Sequence, residues 1–492
     1  MKPYFGLRGK QLNYAIGIIA GCDFLLFGYD QGVMGGILTM RNFLDDFPDI
    51  DPDGTPDKAL QATRSETQGI AVAAYNLGCF LGAVITIWIG NPLGRRRMII
   101  LGTAIMVIGA ILQASATTLP HFIVGRVITG IGNGGNTSTV PTWQSGDLAI
   151  AQARQARHDR GRAHHLWYYD QLLDRSWLQF RPGQRGLAFP AGVPDRLLNL
   201  PESPRWLVLR EKEDEALDVL AALADTSIDD KEVRNEFIAI KDTVLEMKKG
   251  RFSDLFTQGK DRNFHRTLLG YTNQMFRPNT DASTIEQISG INLITYYAPV
   301  IYASLGMSSF MARLLAAING TEYFIASWPA VYLVERVGRR KLMLFGAAGQ
   351  AASMAILAGA NSQEDSAPLP DRRCRLPLRF QHLLRHRMAR HDLAVPPPRS
   401  SLCESEPLPT PCPLQVTNWI FNFMVVMITP VAFNTIGYQT YIIFAVINAF
   451  MVPSVYFFYP ETAYRSLEEM DAIFPQGGRR RGLLPGRQRR AQ

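Results

Sequence analysis

Cysteine is scarce, with five among 492 residues. None of them has metal-ligand or paired spacing, and Cys22 and Cys79 fall inside apolar runs, where a free thiol behaves as a small hydrophobe. A disulfide framework is therefore not implied. The eight histidines form no ligand set either. His164 and His165 are adjacent and would point apart on a helix, while His382 and His386, four apart, sit in Pro-rich surroundings with no third ligand. No nucleophile and base pair up in the apolar stretches, so the chain does not read as an enzyme, and neither metal nor cofactor is expected. A cleavable signal is lacking as well: Met1–Gln11 is short and basic, and the first apolar run serves as both address and anchor.

Charge is missing from long stretches, and what is present there is apolar. Mean hydropathy over the whole chain is −0.02, an average that hides the distribution. Runs near the roughly 20 residues that cross a bilayer core occur at Leu12–Leu38, Ile70–Ile89, Met98–Ala116, Phe122–Val140, Ile288–Leu305, Met311–Val334, Leu342–Ala360, Val416–Ile436 and Tyr441–Tyr459. This predicts an all-α, polytopic membrane protein with about nine recognisable spans. The net charge of +8 gathers in the turns between spans, where cytoplasmic loops carry Lys and Arg, and it argues for a lipid bilayer as the partner and against nucleic acid.

One basic turn occurs twice. Gly90-Asn91-Pro92-Leu93-Gly94-Arg95-Arg96-Arg97 returns as Val334-Glu335-Arg336-Val337-Gly338-Arg339-Arg340-Lys341, each copy between two apolar runs. A repeat at about half the chain length, built of apolar spans, is the mark of a two-bundle transporter. The arginines place both turns, and with them the N-terminus, on the cytoplasmic side. Counting spans onward from the second copy leaves the Arg-rich C-terminal tail outside unless one more span lies between Ser362 and Pro413.

Within the spans the polar residues stand out. Asp30 and Arg126 are intramembrane charges, each costing about 2.5–3.5 kcal/mol at a helix centre on insertion scales; Asp30 either serves a function or only marks the helix end at the water boundary, and it reads as the only well-placed anion in the first half. Gln287, Asn292, Tyr296 and Tyr297 put amides and phenols on one otherwise apolar span. These suit either interhelical hydrogen bonds or the lining for a hydroxyl-rich solute. The run Gly130-Ile131-Gly132-Asn133-Gly134-Gly135 matches a dinucleotide fingerprint on paper, but no strand precedes it, so small-residue helix packing is expected. Asn42–Thr67 reads as a polar extracellular loop, and the helical periodicity after Pro201 as short amphipathic cytoplasmic helices.

Two tracts break the pattern. Residues 146–196 hold eight arginines and no lysine, and 362–413 again hold eight arginines, no lysine and Pro396-Pro397-Pro398. Residues 277–286 interrupt a third stretch. The organisation expected is a first transmembrane bundle over 1–200, a cytoplasmic helical linker over 201–262, a second bundle over 263–474 and a basic cytoplasmic tail over 475–492.

With these residues in hand, the chain resembles the sugar porter family of the major facilitator superfamily, fungal hexose transporters in particular. The resemblance is carried by Gly-Tyr-Asp-Gln-Gly at 28–32, the Gly-Arg-Arg turns at 94–96 and 338–340, Gly125-Arg126, Pro-Glu-Ser-Pro-Arg at 201–205, Gln-Ile-Ser-Gly-Ile-Asn at 287–292 and Pro460-Glu461-Thr462. It implies twelve helices in two six-helix bundles that rock about a central site, and uptake of a monosaccharide across the plasma membrane by a monomer, driven by a proton gradient. Asp30 would accept the proton beside Arg126. Gln287, Asn292, Tyr296, Asn319 and Trp419 would bind the sugar. Gly94, Arg95, Arg96, Glu335, Gly338, Arg339, Arg340, Glu202 and Arg205 would latch the conformations. A sugar sensor on the same fold, or a carrier of another polyol-like solute such as quinate or a pentose, are the alternatives. Departures from the family pattern are Asn91 where Asp is usual, Glu286 before Gln287, and the two Arg-rich tracts where helices five, six and ten belong. Those tracts read as out-of-frame translation.

Overall fold

A computed structural model describes residues 7–158, 200–247, 289–304, 308–319, 321, 339–362 and 414–458. Their elements are all helical. In chain order these are α1 (Lys10–Ile37), α2 (Arg41–Asp46), α3 (Lys58–Leu93), α4 (Arg95–Ala114), α5 (Leu119–His158), α6 (Pro204–Leu209), α7 (Glu213–Ala224) and α8 (Lys231–Met247). They continue as α9 (Ile291–Ser304), α10 (Ser309–Asn319), α11 (Arg339–Ser362), α12 (Leu414–Ile436) and α13 (Gln439–Phe458). Five of these, α1, α3, α4, α12 and α13, are long and apolar enough to cross a membrane. Their outward side chains, among them Trp88, Ile111, Val446 and Phe457, are exposed hydrophobics, as a lipid-facing surface requires.

Helix boundaries differ from the apolar runs in two places. The segment expected to be a loop up to Thr67 folds instead as α2, two short 3₁₀ turns and the first turns of α3, which starts at Lys58 with Asp57 accepting the Ala59 N–H at 3.0 Å. An N-terminal cap and good helix formers extend the helix beyond its apolar part, because water satisfies its polar face there. Similarly, α5 does not stop at Val140 but continues to His158, taking in the start of the first Arg-rich tract; residues 159–199 lie outside the described set.

Glycine sets how the first bundle packs. In α3 and α5, Gly78 lies against the main chain of Val127, Gly82 against Ile131, Gly130 against Tyr75 and Gly134 against Cys79, and a Cβ at any of these positions would overlap a carbonyl oxygen. On the other side of α5, Gly132 meets Gly102 of α4 in the same way. The glycine run of α5 is thus a packing face, since lipid gives helices no hydrophobic reason to associate and close van der Waals contact takes its place.

The second group of helices joins the first along two seams. In one, α1 meets α9, and Gly35 approaches the Tyr296 carbonyl and the Pro299 ring. In the other, α3 and α12 run antiparallel, with Asn434 donating to Ser65, Gly69 against Met427, and Asn422 bonded to Asn76. α11 packs on α13. At the other end of the first bundle, α6, α7 and α8 bury Leu207, Leu220, Phe237 and Ile240 against Leu12, Ile16, Ile99 and Trp143. The Trp143 indole N–H donates to the Pro201 carbonyl at 3.2 Å.

Replacing Gly134 by Leu is expected to drive α5 off α3 and cost upward of about 1–3 kcal/mol, as overpacking does. Gly36→Ala serves as the control, because nothing lies within 4 Å of its added methyl. Thermal unfolding and size-exclusion profiles of the purified variants in detergent would check this; equal profiles for both would refute the packing role.

Candidate functional site

The first-half basic turn is a single residue. α3 ends at Leu93, α4 begins at Arg95, and Gly94 between them has φ 91° and ψ 167°, a conformation open only to glycine. Three arginines then occupy the first turn of α4, where the helix dipole is already positive. Glu202 supplies the missing anion. Its carboxylate accepts the main-chain N–H groups of Arg95 at 3.0 Å and Arg96 at 3.1 Å, and also that of Ser203 at 3.2 Å. Burial pushes its carboxyl above the ordinary value, while these N–H groups and the charges of Arg95 and Arg96 pull it back.

The surrounding bonds tie the linker to the turn. Arg96 donates to the Leu200 carbonyl at 2.8 Å, Arg95 to the Asn91 amide oxygen at 3.0 Å, and the Trp206 indole to the Asn91 carbonyl at 2.9 Å. Asn91 therefore holds Arg95 by a hydrogen bond where the family resemblance leads one to expect a carboxylate. Arg205 is half-buried on α6. Of the second copy, Glu335 and Gly338 lie outside the described residues. Arg339 and Arg340 open α11, and their side chains also lie outside them.

Deeper in, Arg126 of α5 is fully buried. Its guanidinium donates to the Val72 carbonyl at 3.3 Å and to the main-chain carbonyl of Asp30 at 3.5 Å, and lies 4.9 Å from the centre of the Tyr75 ring. The cation is thus held by carbonyl dipoles and a π face, the latter worth about 2 kcal/mol when desolvated. Asp30, half-buried on α1, is its neighbour, yet its carboxylate makes no ion pair with Arg126. The two charged residues lie together, joined through the Asp30 main-chain carbonyl rather than its carboxylate.

Beside this pair, the seam between the bundles carries a buried polar knot. Asn76 of α3 accepts from the Tyr296 hydroxyl of α9 at 3.0 Å and from the Asn422 amide of α12 at 3.2 Å through the same oxygen. Tyr297 donates to the Val426 carbonyl at 3.0 Å. Next to it Trp419, fully buried on α12, meets Phe27 edge-on at 5.6 Å and Tyr75 at 6.4 Å. Four buried polar atoms here have no hydrogen-bond partner: the Tyr75 hydroxyl, the Asn76 amide nitrogen, the Asn422 amide oxygen and the Trp419 indole nitrogen. Two N–H donors, a hydroxyl and one acceptor with unmet capacity, walled by aromatic rings, form a chemistry matched to a solute rich in hydroxyls.

Of the other residues expected to bind solute, Asn292 is buried one turn before Tyr296 on α9, and Asn319 is buried at the end of α10. Gln287 lies outside the described residues. Sequence reasoning missed Asn76, Tyr75 and Phe27; an amide in the middle of a long apolar helix was the signal available for Asn76. It also missed Asp23, a second buried acid on α1, so Asp30 is not the only anion placed within the first bundle.

Removing the Glu202 carboxylate would leave the N–H groups of Arg95 and Arg96 without their acceptor. Glu202→Ala is expected to destabilise the fold by about 1–2 kcal/mol, the cost of losing a helix cap, and more than Glu202→Gln does. Thermal unfolding of the two variants in detergent would read it; identical melting would remove the capping role.

Comparison with known proteins places this arrangement. The family model described as "Sugar (and other) transporter" matches residues 16–156, 196–368 and 414–474. The two stretches it leaves out between these blocks fall within the two lysine-free tracts. The MFS-type transporter oryC of Aspergillus oryzae is 36% identical over 96% of this chain and 87% of its own length. The sugar transporter STL1 of Saccharomyces cerevisiae is 33% identical over 96% and 83%. Among solved structures, the MFS proton:xylose symporter XylE bound to 6-bromo-6-deoxy-D-glucose superposes with a TM-score of 0.69 at 20% identity, covering 94% of this chain and 99% of that one. The helical architecture is thus that of the major facilitator fold, and the chain belongs to the sugar transporter family of that superfamily.

Proposed function

We propose that this protein carries a monosaccharide, a hexose first among the candidates, across the plasma membrane as a proton symporter working by alternating access. The observation that carries the reading is the knot of Asn76, Tyr296 and Asn422 beside Trp419. It sits where the two bundles meet, and its unmatched donors and acceptor suit sugar hydroxyls. Solute bound there touches both bundles at once, so its occupancy biases their rocking. Asp30 supplies the coupling: protonated, it no longer attracts Arg126, and the cation is held by carbonyls and the Tyr75 face alone. The linker carboxylate Glu202 and the arginines of the basic turn fasten the cytoplasmic end.

We further propose that the tracts 146–196 and 362–413 are out-of-frame translation standing where helices five, six and ten belong. Their wealth of arginine, their lack of lysine and the coincident gaps in the family match support this. Translating the encoding DNA in the other two frames tests it, and the absence of apolar helices there would overturn it.

Uptake of labelled glucose, xylose and quinate into a cell deficient in hexose transport, by the frame-restored chain, decides the substrate; no uptake of any would remove the transport reading. In that chain Asp30→Asn is expected to abolish accumulation against a gradient while leaving downhill exchange. Continued accumulation would remove the symport assignment. Asn76→Ala and Trp419→Ala are expected to raise the KM for uptake tenfold or more, about 1.4 kcal/mol of lost binding, with protein levels at the membrane unchanged.

A further inference from the structure

We infer that Asp23 is a proton-holding site: a neutral carboxylic acid in the resting protein, bound by Asn136, and distinct from the Asp30 and Arg126 pair. Asp23 lies on α1 about two turns, roughly 10 Å along the helix, before Asp30, and only 4% of its surface is exposed. One oxygen accepts the Asn136 amide of α5 at 2.6 Å, and the other, Oδ2, has no partner. The same amide nitrogen reaches Thr103 Oγ1 of α4 at 3.1 Å, and the Thr103 hydroxyl is itself committed to the Ile99 carbonyl at 2.8 Å. The Asn136 carbonyl oxygen is also buried without a donor.

Among the described residues no cation pairs with this carboxylate. Cys22, the residue before it on α1, brings no positive charge, and the other charged and titratable groups of the helices around it lie elsewhere along them: Lys10, Tyr14, Tyr29 and Asp30 on α1, His121, Arg126, Asp147, Arg154, Arg157 and His158 on α5, Arg95, Arg96 and Arg97 at the start of α4, Tyr296, Tyr297 and Tyr302 on α9, and Glu213, Asp214, Glu215 and Asp218 on α7. A buried ionised carboxylate with one hydrogen bond and no counter-charge is the costliest form the group can take. The cluster has two acceptor atoms lacking a donor, Asp23 Oδ2 and the Asn136 carbonyl, and it lacks one proton. A proton taken up from solvent turns the carboxylate into a donor and answers both, after rotation of the acid or the amide. With the Asn136 amide turned over, the same 2.6 Å separation is an O–H···O contact of ordinary length. Because α1 enters from the cytoplasm, this proton sits on the cytoplasmic side of Asp30.

Infrared difference spectroscopy on the full chain in lipid vesicles at neutral pH tests the inference, with no solute added. The expected spectrum has a carboxylic-acid carbonyl stretch that shifts in D2O, is lost in Asp23→Asn and is kept in Asp30→Asn. A wild-type minus Asp23→Asn difference showing only carboxylate bands would overturn it. Should Asp23→Asn fail to fold, Asn136→Leu decides: the acid band shifts as its amide partner is lost, and an unshifted band counts against the site. The readout needs no transport, so failure of the uptake reading would leave it standing.

Discussion

A membrane interior offers polar groups no water, and the first bundle is arranged around the most demanding of them, the Arg126 guanidinium. To hold that charge, α5 must bring it within reach of the Val72 and Asp30 carbonyls and the Tyr75 ring at once. α3 can come that close only because Gly78, Gly82, Gly130 and Gly134 remove every side chain from the crossing. The same closeness puts Asn76 and Tyr75 of α3 at the seam facing α9 and α12. Packing and site are therefore one problem: the glycine face that lets α5 lie on α3 is also what aims the polar knot at the opposite bundle.

Charge is managed differently at the end of the first bundle that the linker helices cover. Three arginines at a helix start, unfavourable in isolation, become a binding surface for one carboxylate. That carboxylate belongs to the linker, so the electrostatic demand of the turn recruits α6, α7 and α8, whose apolar faces then cover the ends of α1, α4 and α5.

Much of this was legible in the sequence, and the rest was not for physical reasons. Apolar runs of bilayer length gave α1, α3, α4, α12 and α13, because a long unbroken run has few other uses. The doubled Gly-Arg-Arg turn gave the two-part architecture, and Asp30 and Arg126 announced themselves by their cost in lipid. What could not be read was pairing. Asn76 looks like any interior amide until α9 and α12 bring Tyr296 and Asn422 to the same oxygen. Asp23 was overlooked because its counterpart Asn136 sits in a glycine run whose periodicity points to packing. Helix ends were misjudged at Lys58 and beyond Val140 because capping and polar helix formers, invisible to an apolar count, extend a helix into water.

The one-residue joint at Gly94 has a mechanical consequence. With no slack between α3 and α4, and with Glu202 of the linker holding the α4 side of that joint and Trp206 the α3 side, the linker could not lag behind the first bundle in the rocking proposed above. It travels as part of that body, a cuff fixed to one arm. Shear is then confined to the α1/α9 and α3/α12 seams, the surfaces against which a solute would lodge.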